Sequence, residues 1–159
     1  MRVDDLELDA ADRELLERVQ RDARVSAEAI GADLGLSAAT VQRRLKRMRE
    51  AGVIVREVAQ IDPKAVGLAM TFVVAVELER ERADILDAFR RKANADANVQ
   101  QCYYVTGEAD FFLVVVARDM DDFERIAGRL FQQDANVRRF RTSVVMGRSK
   151  VGLSVPVSR

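Results

Sequence analysis

The chain has 159 residues, 48% of them apolar and 33% charged, with 26 basic and 26 acidic side chains and a formal net charge of zero. That composition allows one domain or two small ones with real cores, and it excludes disordered and fibrous classes. There is no His, and Cys102 is the single Cys, so the commonest general base, the pH switch, an internal disulfide and a Cys/His zinc site are all missing. No metal and no cofactor are therefore expected, and the lone thiol fits a reducing cytoplasm. The most apolar stretch, AVGLAMTFVVAV at 65–76, is too short to cross a bilayer, and the acidic start MRVDDLELD does not read as a signal peptide. A cytoplasmic protein without a membrane partner is expected.

Neutrality conceals an uneven distribution. Residues 1–36 carry five basic and ten acidic groups, net −5, whereas 37–56 carry six basic and one acidic, net +5. An acidic body with one basic edge presents itself to a polyanion in one orientation, which suits nucleic acid.

In chain order, Asp9 followed by Ala11, Leu15, Leu16 and Val19 at helical spacing predicts a helix over about 9–22, with Asp9 as N-cap and an acidic first turn. Ser26 predicts a second N-cap, for a short helix ending at Leu34 with Ala27, Ile30 and Leu34 inward and Gly35 at the left-handed cap position. Ser37 caps a third helix, about 38–51, closed by Gly52. Two helices separated by so tight a turn read as a helix-turn-helix. On a helical wheel Val41, Leu45 and Met48 form the inward stripe, and Thr40, Arg43, Arg44 and Arg47 are placed on the opposite side, with almost no acidic i±4 partners. An exposed basic face can be merely solvated, but on the second helix of such a pair it is the one that enters the major groove. Ala38, Ala39, Thr40, Gln42 and Arg43 are expected near base edges, and Arg44, Lys46 and Arg47 on phosphates or the groove rim, with Ser37 completing the DNA-binding set.

VIVREVAQID, 53–62, is β-rich and predicts a short strand and a hinge, with Asp62-Pro63 and Gly67 marking a turn. Beyond it the period changes: strand 70–78, helix 83–93, strands 99–106 and 110–117, helix 120–133, strand 137–146. This β-α-β-β-α-β order is that of a ferredoxin-like plait. The expected fold class is α+β, a three-helix winged helix-turn-helix domain (1–54), a hinge (55–69) and a ferredoxin-like domain (70–159). Two strands, 72–76 and 111–116, are apolar on both faces, which implies that the face away from the helices is covered, most simply by a second subunit. A homodimer also presents two recognition helices about 34 Å apart, one DNA turn. With no His, no nucleophile-and-base pair and no phosphate loop, an enzyme is not expected.

LDAADRELLERVQRDARVS, LGLSAATVQRRLKRMREAGVI and IDPKAVGL, followed by VTGEADFFLVVV at 105–116 and RTSVVM at 141–146, resemble the Lrp/AsnC (feast/famine) transcriptional regulators over essentially the whole chain. The resemblance implies double-stranded DNA as partner, a homodimer that can assemble into octamers on the nucleoid, and an amino-acid effector between sensor domains. It places Thr106, Gly107, Glu108, Ala109 and Asp110 of the strand-to-strand turn in the effector pocket, with Thr142, Ser143, Val144 and Val145 of the last strand and Met120. From chemistry alone, Gly107 can free N–H groups for a carboxylate and Asp110 can meet an ammonium, but Gly-x-x-Asp is equally ordinary hairpin chemistry. Two functions remain open: a sequence-specific regulator answering to an amino acid, and an architectural protein that compacts DNA with little sequence preference and no effector.

Overall fold

A computed structural model describes residues 6–157; the first five residues of the acidic N-terminus and residues 158–159 lie outside the described residues. The chain divides into two compact units, one formed by the residues through Ala59 with those from Lys150 onward, the other by Gln60–Ser149.

The first unit is helical: α1 Ala10–Val19, α2 Ala27–Leu34 and α3 Ala38–Glu50. All three begin as their caps predict. Asp9 and Asp12 form a reciprocal capping box on α1, and the Ser26 and Ser37 hydroxyls accept from the N–H groups of Ala29 and Thr40. Leu15, Leu16, Val19, Ile30, Val41, Leu45 and Met48 are buried together, with Ala27 and Leu34 packed at the margin. Gly31 sets how closely the turn into α3 approaches α2. A Cβ there would lie 2.4 Å from the carbonyl oxygen of Leu36, whose own N–H donates to Gly31 O at 2.9 Å. Only a residue without a side chain lets the turn fold back this closely.

Two expectations are corrected in this unit. Among the described residues no strand forms before Met70, so the strand over 53–62, and with it the wing of the helix-turn-helix domain, is not formed. The β-rich composition is there, but the single sheet belongs to the other unit, and a strand without a ladder leaves its N–H and C=O groups unpaired. The hinge instead contains a 3-10 turn, Pro63–Val66, capped by Asp62 and ended by Gly67. The second correction concerns the C-terminus, expected within the ferredoxin-like domain. Residues from Lys150 pack on the helical unit: the Gln20 amide donates to Val155 O (2.8 Å) and accepts from Val155 N–H (3.0 Å), Arg13 donates to Val157 O, and Val157 meets the helical core. Gln20→Ala removes both ends of this clamp and is expected to cost the helical unit about 1 kcal/mol in a urea titration.

The second unit holds β1 Met70–Leu78, α4 Ala83–Ala95, β2 Val99–Tyr104, β3 Phe111–Ala117, α5 Met120–Ala127 and β4 Val137–Val144. The sheet is antiparallel with order β2-β3-β1-β4, the ferredoxin-like arrangement. The helix predicted over 120–133 is α5 continued by a π-helical turn, Gly128–Gln132, that buries Leu130 and Phe131. Phe72 stacks on Phe123 of α5 at 3.9 Å between centroids, and Phe89 of α4 meets Phe111 at 4.7 Å, so both helices lie on one face of the sheet. The pleat then turns Val73, Ala75, Phe112 and Val114 to the other face, where Phe112 is exposed and the other three are half-buried.

Candidate DNA-binding face and effector cavity

On α3, Ala39, Gln42, Arg43, Lys46 and Arg49 are exposed, whereas Ala38, Thr40, Arg44 and Arg47 are half-buried. Ser37 is exposed, but its hydroxyl caps the helix and lies 2.9 Å from the Thr40 hydroxyl. The wheel placement of Arg44 and Arg47 is corrected by these contacts. Arg44 stands about 60° round the helix from Val41, on the flank of the buried stripe rather than opposite it. Its Nη1 donates to Asp9 (2.7 Å) and Asp12 (2.9 Å), and Arg47 Nη2 donates to the other oxygen of Asp12. The Asp12 side chain is 0% exposed and also accepts from Asp9 N–H.

The remaining bases divide similarly. Arg49 makes a two-point contact with Glu57, and Lys46 lies 3.7 Å from Glu50, both on the surface. Arg43 has no ion-pair partner among the described residues. The five-base cluster is thus mostly neutralised, by acids 8 to 35 positions away that i±4 pairing does not reach. What remains exposed is a stripe of Ala39, Gln42, Arg43 and Lys46, whose one ion pair is the long surface contact of Lys46 with Glu50.

In the second unit, Val105 N–H donates to Asp110 O (2.9 Å) and closes the turn between β2 and β3. Gly107 sits in this turn at φ 126, a region that side-chain-bearing residues avoid. Asp110 is half-buried: its carboxylate accepts from Leu78 N–H at 2.6 Å and its N–H donates to Val76 O, stitching the turn to the end of β1. One oxygen of Asp110 is thus engaged with β1, the other makes no hydrogen bond among the described residues, and Asp110 does not line the cavity described next.

Thr106, Glu108 and Ala109 do come together with Ser143. With Val73, Ala75, Phe112 and Arg141 they line an open cavity of about 310 Å³ on the sheet face away from the helices. Thr142 and Val144 pair with Val74 and Phe72 and so belong to the helix-covered face, and neither they, Val145, Met120 nor Gly107 line the cavity. Arg141 was missed, as was its partner Glu77. Glu77 is 9% exposed and accepts from Arg139 (2.7 and 2.9 Å) and Arg141 (2.9 Å), while Arg141 reaches Glu108 at only 3.4 Å. Alternation of Arg139, Arg141 and Ser143 along β4 was the available signal.

The acids of both units are shifted alike. Asp12 N–H and Arg44 hold Asp9 below the usual carboxylate range, Arg139 does so for Glu77, Arg129 for Asp96 and Arg118 for Asp122. Depressed values mean stabilisation that is complete above the unfolded-state range near 4 and lost as pH falls through it. With no His in the chain, the melting temperature is expected to stay flat between about pH 6 and 8 and to fall progressively below about pH 4.5, measured by circular dichroism.

A tight helix pair with an exposed polar stripe, joined to a ferredoxin-like unit with a cavity on its open face, defines a DNA-binding regulator that carries a ligand-binding domain. Known proteins agree with that definition. Residues 8–49 match the AsnC-type helix-turn-helix domain, and 71–155 match the Lrp/AsnC ligand binding domain. A relative from Sinorhizobium fredii, described as an uncharacterized HTH-type transcriptional regulator, is 45% identical over 96% of this chain and 90% of its own. An AsnC family transcriptional regulator from Agrobacterium tumefaciens is similar in structure, with TM-score 0.87, 26% identity and 94% and 97% of the two chains covered. So is a transcriptional regulator from Neisseria meningitidis in complex with L-Met, with TM-score 0.87, 25% identity and 95% and 97% covered. The chain belongs to the Lrp/AsnC family: it is a transcriptional regulator with a ligand-binding domain, and not an enzyme.

Proposed function

We propose that the chain is a sequence-specific regulator whose DNA binding or assembly is shifted by an amino acid. The observation that carries the DNA half is the exposed stripe Ala39, Gln42, Arg43 and Lys46 on the second helix of the pair. Gln42 and Arg43 offer the hydrogen-bond groups that read base edges, and Lys46 faces phosphate, with Ser37, Ala38 and Thr40 at the helix N-terminus. An architectural compactor would need free cations, and three of the five bases on α3 are paired with carboxylates, two of them with the buried Asp12.

For the effector, Arg141 supplies a carboxylate partner, Glu108 an ammonium partner, and Val73, Ala75 and Phe112 an apolar floor for the side chain. Thr106, Ala109 and Ser143 complete the lining. The L-Met complex of the Neisseria meningitidis regulator supports an amino acid as the class of ligand. The same open face, with Phe112 and Tyr103 exposed, pairs with that of a second copy in a homodimer, the unit from which octamers would grow. A DNA partner puts the protein on the nucleoid in the cytoplasm.

A thermal-shift screen of the twenty amino acids tests the effector. A ligand at a hundred times its Kd is expected to stabilise the fold by about 2.7 kcal/mol. Arg141→Ala is expected to abolish that shift; a normal shift in the variant puts the ligand elsewhere.

A further inference from the structure

Arg44 and Arg47 of α3 both donate to one residue of α1, Asp12. Asp12 is fully buried, and its two oxygens between them accept from Arg44, Arg47 and the N–H of Asp9, leaving the carboxylate saturated. Packing stability does not account for this arrangement. Buried ion pairs are on average no better than apolar side chains of the same volume, and here the Nε–H groups of both arginines are buried without a partner, a further cost. Leu or Met at 44 and 47 would extend the Val41, Leu45 and Met48 stripe without either cost.

What the charges achieve is seen from the other side of the helix. Arg47, whose side chain is 40% exposed, stands about 40° round the helix from Arg43, 80° from Ala39 and 100° from Lys46, within reach of a groove-flanking phosphate if it were released. Held on Asp12, its guanidinium lies against α1 and its charge is cancelled. Arg44, at 23% exposure, is cancelled in the same way by Asp9 and Asp12. Phosphate attraction is the salt-dependent part of binding that does not discriminate among sequences, so neutralising cations beside a base-reading stripe lowers affinity for random DNA and for a chosen site by about the same factor and makes both less sensitive to salt.

We propose that Asp12 is a positioning residue that sets the strength and salt dependence of DNA binding by this regulator: it withholds Arg47, and secondarily Arg44, from the DNA backbone, so that Gln42 and Arg43 supply a larger share of the contacts. The proposal rests on the DNA-binding reading above.

The test is a salt titration of the full chain on a random-sequence duplex and on a duplex selected by the protein from a random pool. Asp12→Asn keeps the shape and removes the charge. Its slope of log affinity against log salt on random DNA is expected to steepen by about 0.9 per released cation and chain, 0.9 to 1.8 in all. Between 50 and 200 mM salt the variant then loses about 3.5- to 12-fold more affinity than the parent, on the selected duplex as on the random one. Arg47→Gln, which keeps an N–H donor for Asp12, is expected to leave the parent slope unchanged, and the double variant Asp12→Asn/Arg47→Gln to lose most of the steepening.

An unchanged or shallower slope in folded Asp12→Asn overturns the proposal. So does a slope shallower by about 0.9 in Arg47→Gln, because Arg47 would then already sit on phosphate, and this arm holds even if Asp12→Asn does not fold. A parent chain that binds neither duplex in a salt-dependent way overturns the DNA-binding reading itself.

Discussion

Gly31→Ala is expected to destabilise the helical unit by roughly 1–3 kcal/mol and to weaken DNA binding with it. In an exposed helix the same change stabilises by about 1 kcal/mol, since Ala is the better helix former. Here the new methyl would stand 2.4 Å from the Leu36 carbonyl oxygen, and a backbone atom cannot rotate out of its way. The turn has to open, which strains the Leu36 N–H to Gly31 O bond and shifts α3 against α2. Gly128→Ala is the control: Gly128 has helical φ −54, and nothing lies within 4 Å of its added Cβ. That variant is expected to be neutral or slightly stabilised, by about 0.4–1 kcal/mol. Urea unfolding of the two proteins checks both, and a neutral Gly31→Ala would show that the turn has slack.

Arg43→Ala is expected to weaken binding to a selected duplex by about five- to 150-fold, the equivalent of 1–3 kcal/mol for a good base contact. Arg43 is exposed and makes no ion pair among the described residues, so stability is expected to change by no more than about 0.5 kcal/mol. Arg47→Ala should do the reverse. It leaves Asp12 buried with one of its two guanidinium partners gone, and its main loss is in stability. Fluorescence anisotropy beside thermal melts separates the two, and unchanged affinity in Arg43→Ala would mean that the DNA-facing side of α3 is misplaced.

Local signals proved legible. The N-caps at Asp9, Ser26 and Ser37 formed as read, because a cap is decided within three residues of itself. The β-α-β-β-α-β order followed from the change of period at Met70, and the doubly apolar strands put Val73, Ala75, Phe112 and Val114 on the sheet face away from the helices, the face that the proposed homodimer would cover. What could not be read depended on chain-distant pairing. Arg44 finds acids 32 and 35 positions upstream, Asp110 finds the backbone of Leu78, and the tail from Lys150 finds Gln20. Residues 53–62 carry strand composition, but no strand of the same chain lies beside them to pair with. Of the candidate effector residues, Thr106, Glu108, Ala109 and Ser143 share a cavity because turn and strand meet across one face, whereas Thr142 and Val144 fall on the other by the alternation of the pleat.

The central claim is that the exposed stripe of α3 reads DNA sequence. Its most direct test is an anisotropy titration of the full chain at about 0.15 M salt, comparing a duplex selected by the protein from a random pool with a scrambled duplex of the same composition. The expected result is a selected duplex bound at least about 10³-fold more tightly, with most of that preference lost in Arg43→Ala. A preference of tenfold or less, or one that survives Arg43→Ala intact, would contradict it.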